Sequence, residues 1–275
     1  MKAFLLLTLL SSQLFAQPLD FTKRFVQSED KWVAFSPKED GVHSFGFIYI
    51  DAQAGLTLQH EGSFTIGPSG EYVPKRLDSI NMKIRLEANN VKVAWITESK
   101  FKELGIMAIP DWLKYYKTDT NSVARLHKWG FIYNGWGECA KALDYLERAQ
   151  KINPDFEGLG VELAYSYNCL QQYDKAISVL QNALKANPTD AYTNKELIYA
   201  LLKSDQLDKA AAACKNALAV CTDTQFNMEN CYNLLHSFFL KKDKAQFNAW
   251  KEETSKWCKD NERLMKSIAA MEKEL

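Results

Sequence analysis

The chain has no proline after Pro188, no glycine after Gly160 and no cysteine before Cys139. Without chain-breakers or residues that favour left-handed backbone, the C-terminal stretch reads as uninterrupted helix joined by short turns. Without cysteine, the N-terminal half can have neither a disulfide framework nor a thiolate metal site. Charge of either sign is not in excess: 34 Lys and Arg face 34 Asp and Glu, and no like-charged run occurs in either half. That balance gives no footprint for nucleic acid or for an anionic membrane surface. Histidine is scarce, and His43, His60, His127 and His236 include no pair at metal-ligand spacing on one helix. No nucleophile elbow, phosphate loop or dinucleotide fingerprint occurs. Ser28-Glu29-Asp30-Lys31 matches a serine-acylase tetrapeptide, but it precedes a predicted strand and lacks the companion motifs. The expectation is therefore a non-enzyme with no cofactor, no metal and no catalytic residues.

No segment beyond the N-terminus is long and apolar enough to cross a bilayer. The first 16 residues differ from the rest. Met1-Lys2 gives a positive start, Ala3 to Leu10 a short apolar run, and Ser11 to Ala16 a polar end with a small residue before Gln17. This is the anatomy of a cleavable secretory signal, and no cysteine stands at the cut to carry a lipid. The expected mature protein is soluble and exported, to a periplasm or the extracellular space.

Seven of the 12 glycines lie between Gly41 and Gly105, and residues 17–118 read as a small antiparallel β domain with a linker helix. His43 to Asp51 places Phe45, Phe47 and Tyr49 on one face and Ile48 and Ile50 on the other, which predicts a central strand buried on both sides. Leu56 to Glu61 and Phe64 to Ile66 read as two further strands. Met82 to Leu86 and Val91 to Ile96, flanking Ala88-Asn89-Asn90, predict a hairpin with Met82, Ile84 and Leu86 inward. Pro110 to Tyr116 reads as a helical turn with proline at its first position, and its aromatics Trp112, Tyr115 and Tyr116 are expected to join the sheet to the first helices of the C-terminal half.

Residues 119–259 repeat themselves at a shift of 34. Pro154 and Pro188 are that far apart, as are Tyr133 and Tyr167, the series Ala142, Ala176, Ala210, and the series Ala149, Ala183, Ala217. Trp129-Gly130, Leu163-Ala164 and Leu197-Ile198 occupy one position in three units, and Leu146, Leu180 and Cys214 another. Small residues at fixed places let two antiparallel helices approach, and proline after the second helix ends the unit. This pattern resembles the tetratricopeptide repeat. The resemblance implies three clear helix pairs and a fourth, degenerate one whose alanine, Ala245, is one residue out of register. Residues 260–275, with Leu264, Ile268, Met271 and Leu275 at helical spacing, look like a capping helix. The whole is thus expected to be an α+β, two-domain chain: a β domain, then a helical solenoid.

The resemblance also implies a concave groove lined by the first helix of each pair. Its ninth position carries Phe131, Tyr165 and Tyr199, its twelfth Asn134 and Asn168, and its fifth His127 and Lys195. Rings on a partner's side chains and amides on its backbone would grip an extended protein or peptide; the competing reading is that the rings finish inter-repeat packing and that Asn134 and Asn168 cap helix ends. Some repeats of this type clamp a carboxylate with Lys, Asn and Arg, but the corresponding places here hold His127, Phe131, Glu162, Tyr192 and Glu196. The two glutamates would repel a carboxylate, so that function is not carried over. The expected function is an exported interaction scaffold; the alternative is an envelope enzyme or enzyme accessory with its site in the β domain. Six cysteines in an exported chain can oxidise. Cys214 and Cys231 are nearly equidistant from the turn near Thr222 and should face each other across that hairpin, Cys139 and Cys169 share one end of the stack, and Cys221 and Cys258 share the other; packing is the competing role for all six.

The leader makes a prediction of its own. N-terminal sequencing of the protein from its native envelope should begin at Gln17; an intact Met1 in a cytoplasmic fraction would sink the export reading.

Overall fold

The computed structural model describes residues 18–76 and 82–275. The expected leader therefore lies outside the described residues. Contacts divide the chain at Thr118/Asp119 into two compact units.

The first unit is one six-stranded antiparallel sheet. Its strands are Lys31–Phe35 (β1), His43–Asp51 (β2), Gly55–Ile66 (β3), Tyr72–Arg76 (β4), Met82–Arg85 (β5) and Val93–Trp95 (β6), in the order β4-β3-β2-β1-β6 with β5 also on β3. β2 is central and buried on both faces, Phe45, Phe47 and Tyr49 toward one side and Ile48 and Ile50 toward the other. Gly46 is required there because a Cβ would come within 2.3 Å of the Gln59 carbonyl oxygen on β3. The aromatic face continues through Trp32, Phe64 and Tyr72 and packs against Leu104 and Leu113. A short helix, Phe101–Leu104 (α1), is pinned to it by Glu103, which accepts from the Tyr72 backbone N–H at 2.6 Å and pairs with Lys100 at 2.9 Å.

Two expectations are corrected in this unit. The two strands predicted over residues 56–66 are one twelve-residue strand, long enough to pair with β4 along Gly62 to Ile66 and with β5 along Thr57 to His60. The predicted hairpin of residues 82–86 with 91–96 does not form. β5 lies against β3 and β6 against β1, on opposite edges of the sheet. Asn89 does make a local turn, its side chain accepting from the Val91 N–H at 2.8 Å, but each arm finds a longer strand to pair with. As a consequence Met82 and Ile84 remain 39% and 37% exposed. The 3-10 helix Asp111–Tyr116 carries Trp112 and Tyr116 onto the aromatic face. Their rings lie 5.0 Å and 4.6 Å from that of Tyr49. Tyr115 is 72% exposed.

The second unit is helical: Val123–Gly135 (α2), Cys139–Ile152 (α3), Leu159–Cys169 (α4), Tyr173–Ala186 (α5), Ala191–Lys203 (α6), Leu207–Val220 (α7), Asn227–Leu240 (α8), Lys244–Cys258 (α9) and Glu262–Glu274 (α10). Ser122, Asp190, Asp243 and Asn261 cap four of these helices through their side-chain oxygens, each satisfying an N–H that the helix leaves free. The helices form pairs, α2 with α3, α4 with α5, α6 with α7 and α8 with α9. Within the pairs Ala142, Ala176 and Ala210 are fully buried, as are Leu146, Leu180 and Cys214. Gly130 meets Leu146 so closely that a Cβ would fall within 2.3 Å of the leucine Cγ.

The turn inside each pair is the same motif. Gly137, Gln171 and Asp205 adopt φ of 72°, 59° and 62°, and the following N–H reaches back to Tyr133, Tyr167 and Leu201 at 2.8 to 2.9 Å. This left-handed helix ending satisfies carbonyls that would otherwise face no donor. In the fourth pair the left-handed residue is Lys242, and Asp243 N–H bonds Phe238, three residues later than the period requires. That shift corrects the reading of Ala245. It is exposed, and Phe247, fully buried, takes the contact position that alanine holds in the other pairs.

Phe47→Ala should destabilise the first unit by about 3–5 kcal/mol, because Phe47 is 1% exposed and touches both Trp32 and Trp112. Denaturant unfolding followed by tryptophan fluorescence checks this; a loss under about 1 kcal/mol would mean the aromatic face is not the core.

Candidate functional site

The first helices of the second unit touch one another in a row, α2 on α4, α4 on α6 and α6 on α8, whereas the second helices have no comparable contact among themselves. The first helices α2, α4, α6 and α8 therefore form one continuous face, the one expected from the sequence to line a groove. Successive first helices are joined by buried side-chain bridges. Asn134 Nδ2 donates to the Glu162 carbonyl at 3.0 Å and to its Oε2 at 2.8 Å. One repeat on, Asn168 Nδ2 donates to the Glu196 carbonyl at 3.3 Å and to its Oε2 at 2.9 Å. Ser166 donates to Asn134 Oδ1 at 2.7 Å, but Ala200 stands at the equivalent place in the next repeat and leaves Asn168 Oδ1 without a partner.

These bridges correct the expected role of both asparagines. Asn134 and Asn168 are 3% and 4% exposed, and their Nδ2 donors are taken by the next repeat, so neither amide N–H is left for a peptide backbone. His127 is likewise drawn into packing. Its ring lies 5.2 Å from that of Phe156 and against Gly158, and burial pushes its pKa down, which keeps it neutral at pH 7. The remaining groove residues stay accessible. Phe131 is 50% exposed, with Lys128 over its ring at 5.3 Å. Tyr165, Lys195 and Tyr199 are half-buried, and burial raises the Tyr199 pKa. Tyr192, unflagged as a binding residue from the sequence, belongs to the same cluster. Its ring is 5.7 Å from Phe226, and Lys195 lies over both rings at 5.4 and 5.8 Å. The signal was present: residues 192 and 226 are one period apart and both aromatic.

The electrostatics of this face are uneven. Lys195 Nζ pairs with Glu196 at 3.0 Å and approaches Glu229 at 3.9 Å. Burial opposes its charge, yet Glu196 and Glu229 together with Tyr165 outweigh this and raise its pKa. Burial likewise raises the pKa of Glu162; the bond from Asn134 opposes the shift and the charge of Glu196 adds to it. Burial and the nearby carboxylates also raise the Tyr192 pKa.

The cysteines resolve into one bridge and four thiols. Cys139, opening α3, is joined to Cys169, closing α4, with Cα atoms 6.2 Å apart. Cys214, Cys221, Cys231 and Cys258 are free. Cys214 and Cys231 face each other across α7 and α8, yet both are fully buried and serve as packing. Cys221 and Cys258 are not partners: Cys258 is buried beside Cys231, whereas Cys221 accepts from Asn194 at 3.5 Å. Among the described residues no group of side chains could hold a metal ion, and no helix is long and apolar enough to cross a membrane.

A cleft of about 720 Å³ opens in the first unit, lined by Trp32, Gln59, His60, Glu61, Lys83 and residues of the 105–116 segment. Lys83 Nζ donates to the Tyr116 hydroxyl at 2.6 Å, and burial lowers the His60 pKa.

No protein-family model matches the sequence, and no curated protein does. Solved structures resemble part of the chain. YrrB, a TPR protein with an unusual peptide-binding site, superimposes with a TM-score of 0.48 at 18% identity over 57% of this chain and 77% of that one. MamA from Desulfovibrio magneticus RS-1 gives 0.47 at 18% over 60% and 87%, and TTC0263, a thermophilic TPR protein of Thermus thermophilus, gives 0.44 at 19% over 58% and 84%. This chain's own geometry decides the type: antiparallel helix pairs at a 34-residue period, buried alanine at the contact, the same left-handed turn in each of the first three pairs. The helical array is of the tetratricopeptide type.

Within the array the asparagine bridges should matter more for stability than the charge they hold. Asn134→Ala removes a buried donor and should cost about 1–3 kcal/mol, whereas Glu162→Gln keeps an acceptor and should not lower the melting temperature at pH 7. Because the Glu162 pKa is raised on folding, the folded state holds the extra proton between the ordinary carboxylate value and the raised one. Stability in that window therefore falls as pH rises, and the wild type should lose ground to Glu162→Gln across it. Parallel melting curves of the two proteins from acid to neutral pH would contradict this.

Proposed function

We propose that this protein is an exported, non-catalytic scaffold that holds an extended segment of another protein along the concave row of first helices. The observation that carries the reading is the face itself: Phe131, Tyr165, Tyr192 and Tyr199 stay at least partly open to solvent, while the packing positions of the same helices are filled by Trp129, Leu163 and Leu197. Rings left in water forgo burial worth about 25 cal/mol per Å², and a soluble protein that keeps a row of them normally uses it as a contact surface. Export is supported by the leader composition and by the Cys139–Cys169 bridge, since such bridges persist in oxidising compartments.

A second reading, an envelope enzyme or enzyme accessory with its site in the β domain, is favoured by one observation, the cleft beside the filled aromatic core with Glu61, His60, Lys83 and Asp111 on its walls. A ligand class that raised the melting temperature in wild type but not in Lys83→Ala would move the function there.

Two measurements test the scaffold. Affinity capture from the native envelope should lose roughly 1–3 kcal/mol of partner affinity for Tyr165→Ala and for Tyr199→Ala, the range of aromatic anchors, with little loss of stability; variants that melt far lower yet still bind would assign these rings to the core instead. Mass mapping without reduction should find Cys139 bridged to Cys169 and the other four cysteines free, whereas six reduced thiols in the native protein would contradict export.

A further inference from the structure

Glu162 and Glu196 occupy the same repeat position, 34 residues apart, and each receives the asparagine of the preceding repeat in the same way. They differ in one respect. Glu196 has its own cation, Lys195, at 3.0 Å. At Glu162 the equivalent neighbour is Val161, which carries no charge. Among the described residues the half-buried Glu162 carboxylate holds one hydrogen bond, from Asn134, and no Lys or Arg is among the charges that act on it. A carboxylate taken out of water needs a counter-charge as well as a hydrogen bond, because desolvation costs several kcal/mol that a single amide does not return. The rings at the neighbouring groove positions, Tyr165 and Tyr192, offer π-faces that favour a cation beside the acid.

Resting on the scaffold reading above, we propose that the gap at Glu162 is a subsite for a cationic side chain of the bound segment, so that the partner is an extended peptide carrying arginine or lysine. The partner's cation stands where Lys195 stands one repeat later. Its aliphatic stem lies between Tyr165 and Tyr192, and its head reaches the free acceptor sites of Glu162. Arginine suits the place better than lysine, since its planar guanidinium can both stack on a ring and bond a carboxylate. Among the described residues the array supplies an internal cation at Glu196 and none at Glu162, where the partner completes the pair.

The test uses residues 17–275 and two fluorescein-labelled decapeptides, Gly-Leu-Arg-Gly-Leu-Arg-Gly-Leu-Arg-Gly and the same sequence with citrulline, the neutral isostere, in place of arginine. Fluorescence anisotropy should show the arginine peptide binding at least tenfold more tightly. Val161→Lys, which gives Glu162 the internal cation that Glu196 has, should abolish that preference while melting no lower than wild type. Glu162→Gln should abolish it too, and Val161→Leu should keep it. Equal binding of both peptides by the wild type would overturn the cation subsite and leave the groove reading intact. Binding of neither peptide would overturn both, and a tenfold preference that survives in folded Val161→Lys and Glu162→Gln would place the cation elsewhere.

Discussion

The buried asparagine that each of two first helices sends to the glutamate of the next is the contact on which the groove depends. It fixes the spacing and rotation of α2 against α4 and of α4 against α6 through a main-chain and a side-chain acceptor at once. Because the amide is consumed below the surface, the tyrosines one turn away are held at defined places above it. Apolar packing alone sets distance but tolerates sliding; a buried amide that must find its acceptor does not. The rigid part of the groove is polar and hidden, and the open part is aromatic.

The chain's periodicity made the helical array legible from the sequence alone, because alanine at 142, 176 and 210 and proline at 154 and 188 are residues whose size or geometry has few substitutes. The turn that joins each pair was not legible. Only Gly137 advertises its left-handed backbone, and Gln171 and Asp205 adopt the same conformation without a glycine's signature. The slip in the fourth pair followed from that, since the three-residue delay before Lys242 moves Phe247 into the alanine position. In the β unit the central strand was readable from the alternation of Phe45, Phe47 and Tyr49 against Ile48 and Ile50. Pairing was not: Met82 to Arg85 has the alternation of a half-buried strand, but partner choice depends on β3 being long enough to serve two neighbours.

For the candidate site, the sequence named positions but could not say which way burial would divide them. Phe131, Tyr165, Tyr199 and Lys195 remain accessible, whereas Asn134, Asn168 and His127 are absorbed between repeats. The deciding residues were Glu162, Glu196 and Phe156, which lie on the following repeat and whose contacts no local pattern reveals. Cysteine shows the same limit. Register favoured Cys214 with Cys231, facing across a helical hairpin, over Cys139 and Cys169, which only share an end of the stack; in the structure the second pair is joined, while the first is shut in the core with Cys258.

The central claim is that partners bind on the first-helix face. A photoreactive benzoylphenylalanine placed at Phe131 on α2, and in a second protein at the exposed Ala140 on α3, tests it directly in the native cells. Irradiation should join a discrete protein to the residue at 131 and none to the residue at 140. Adducts at 140 with none at 131 would put the binding surface on the opposite side of the array and contradict the account.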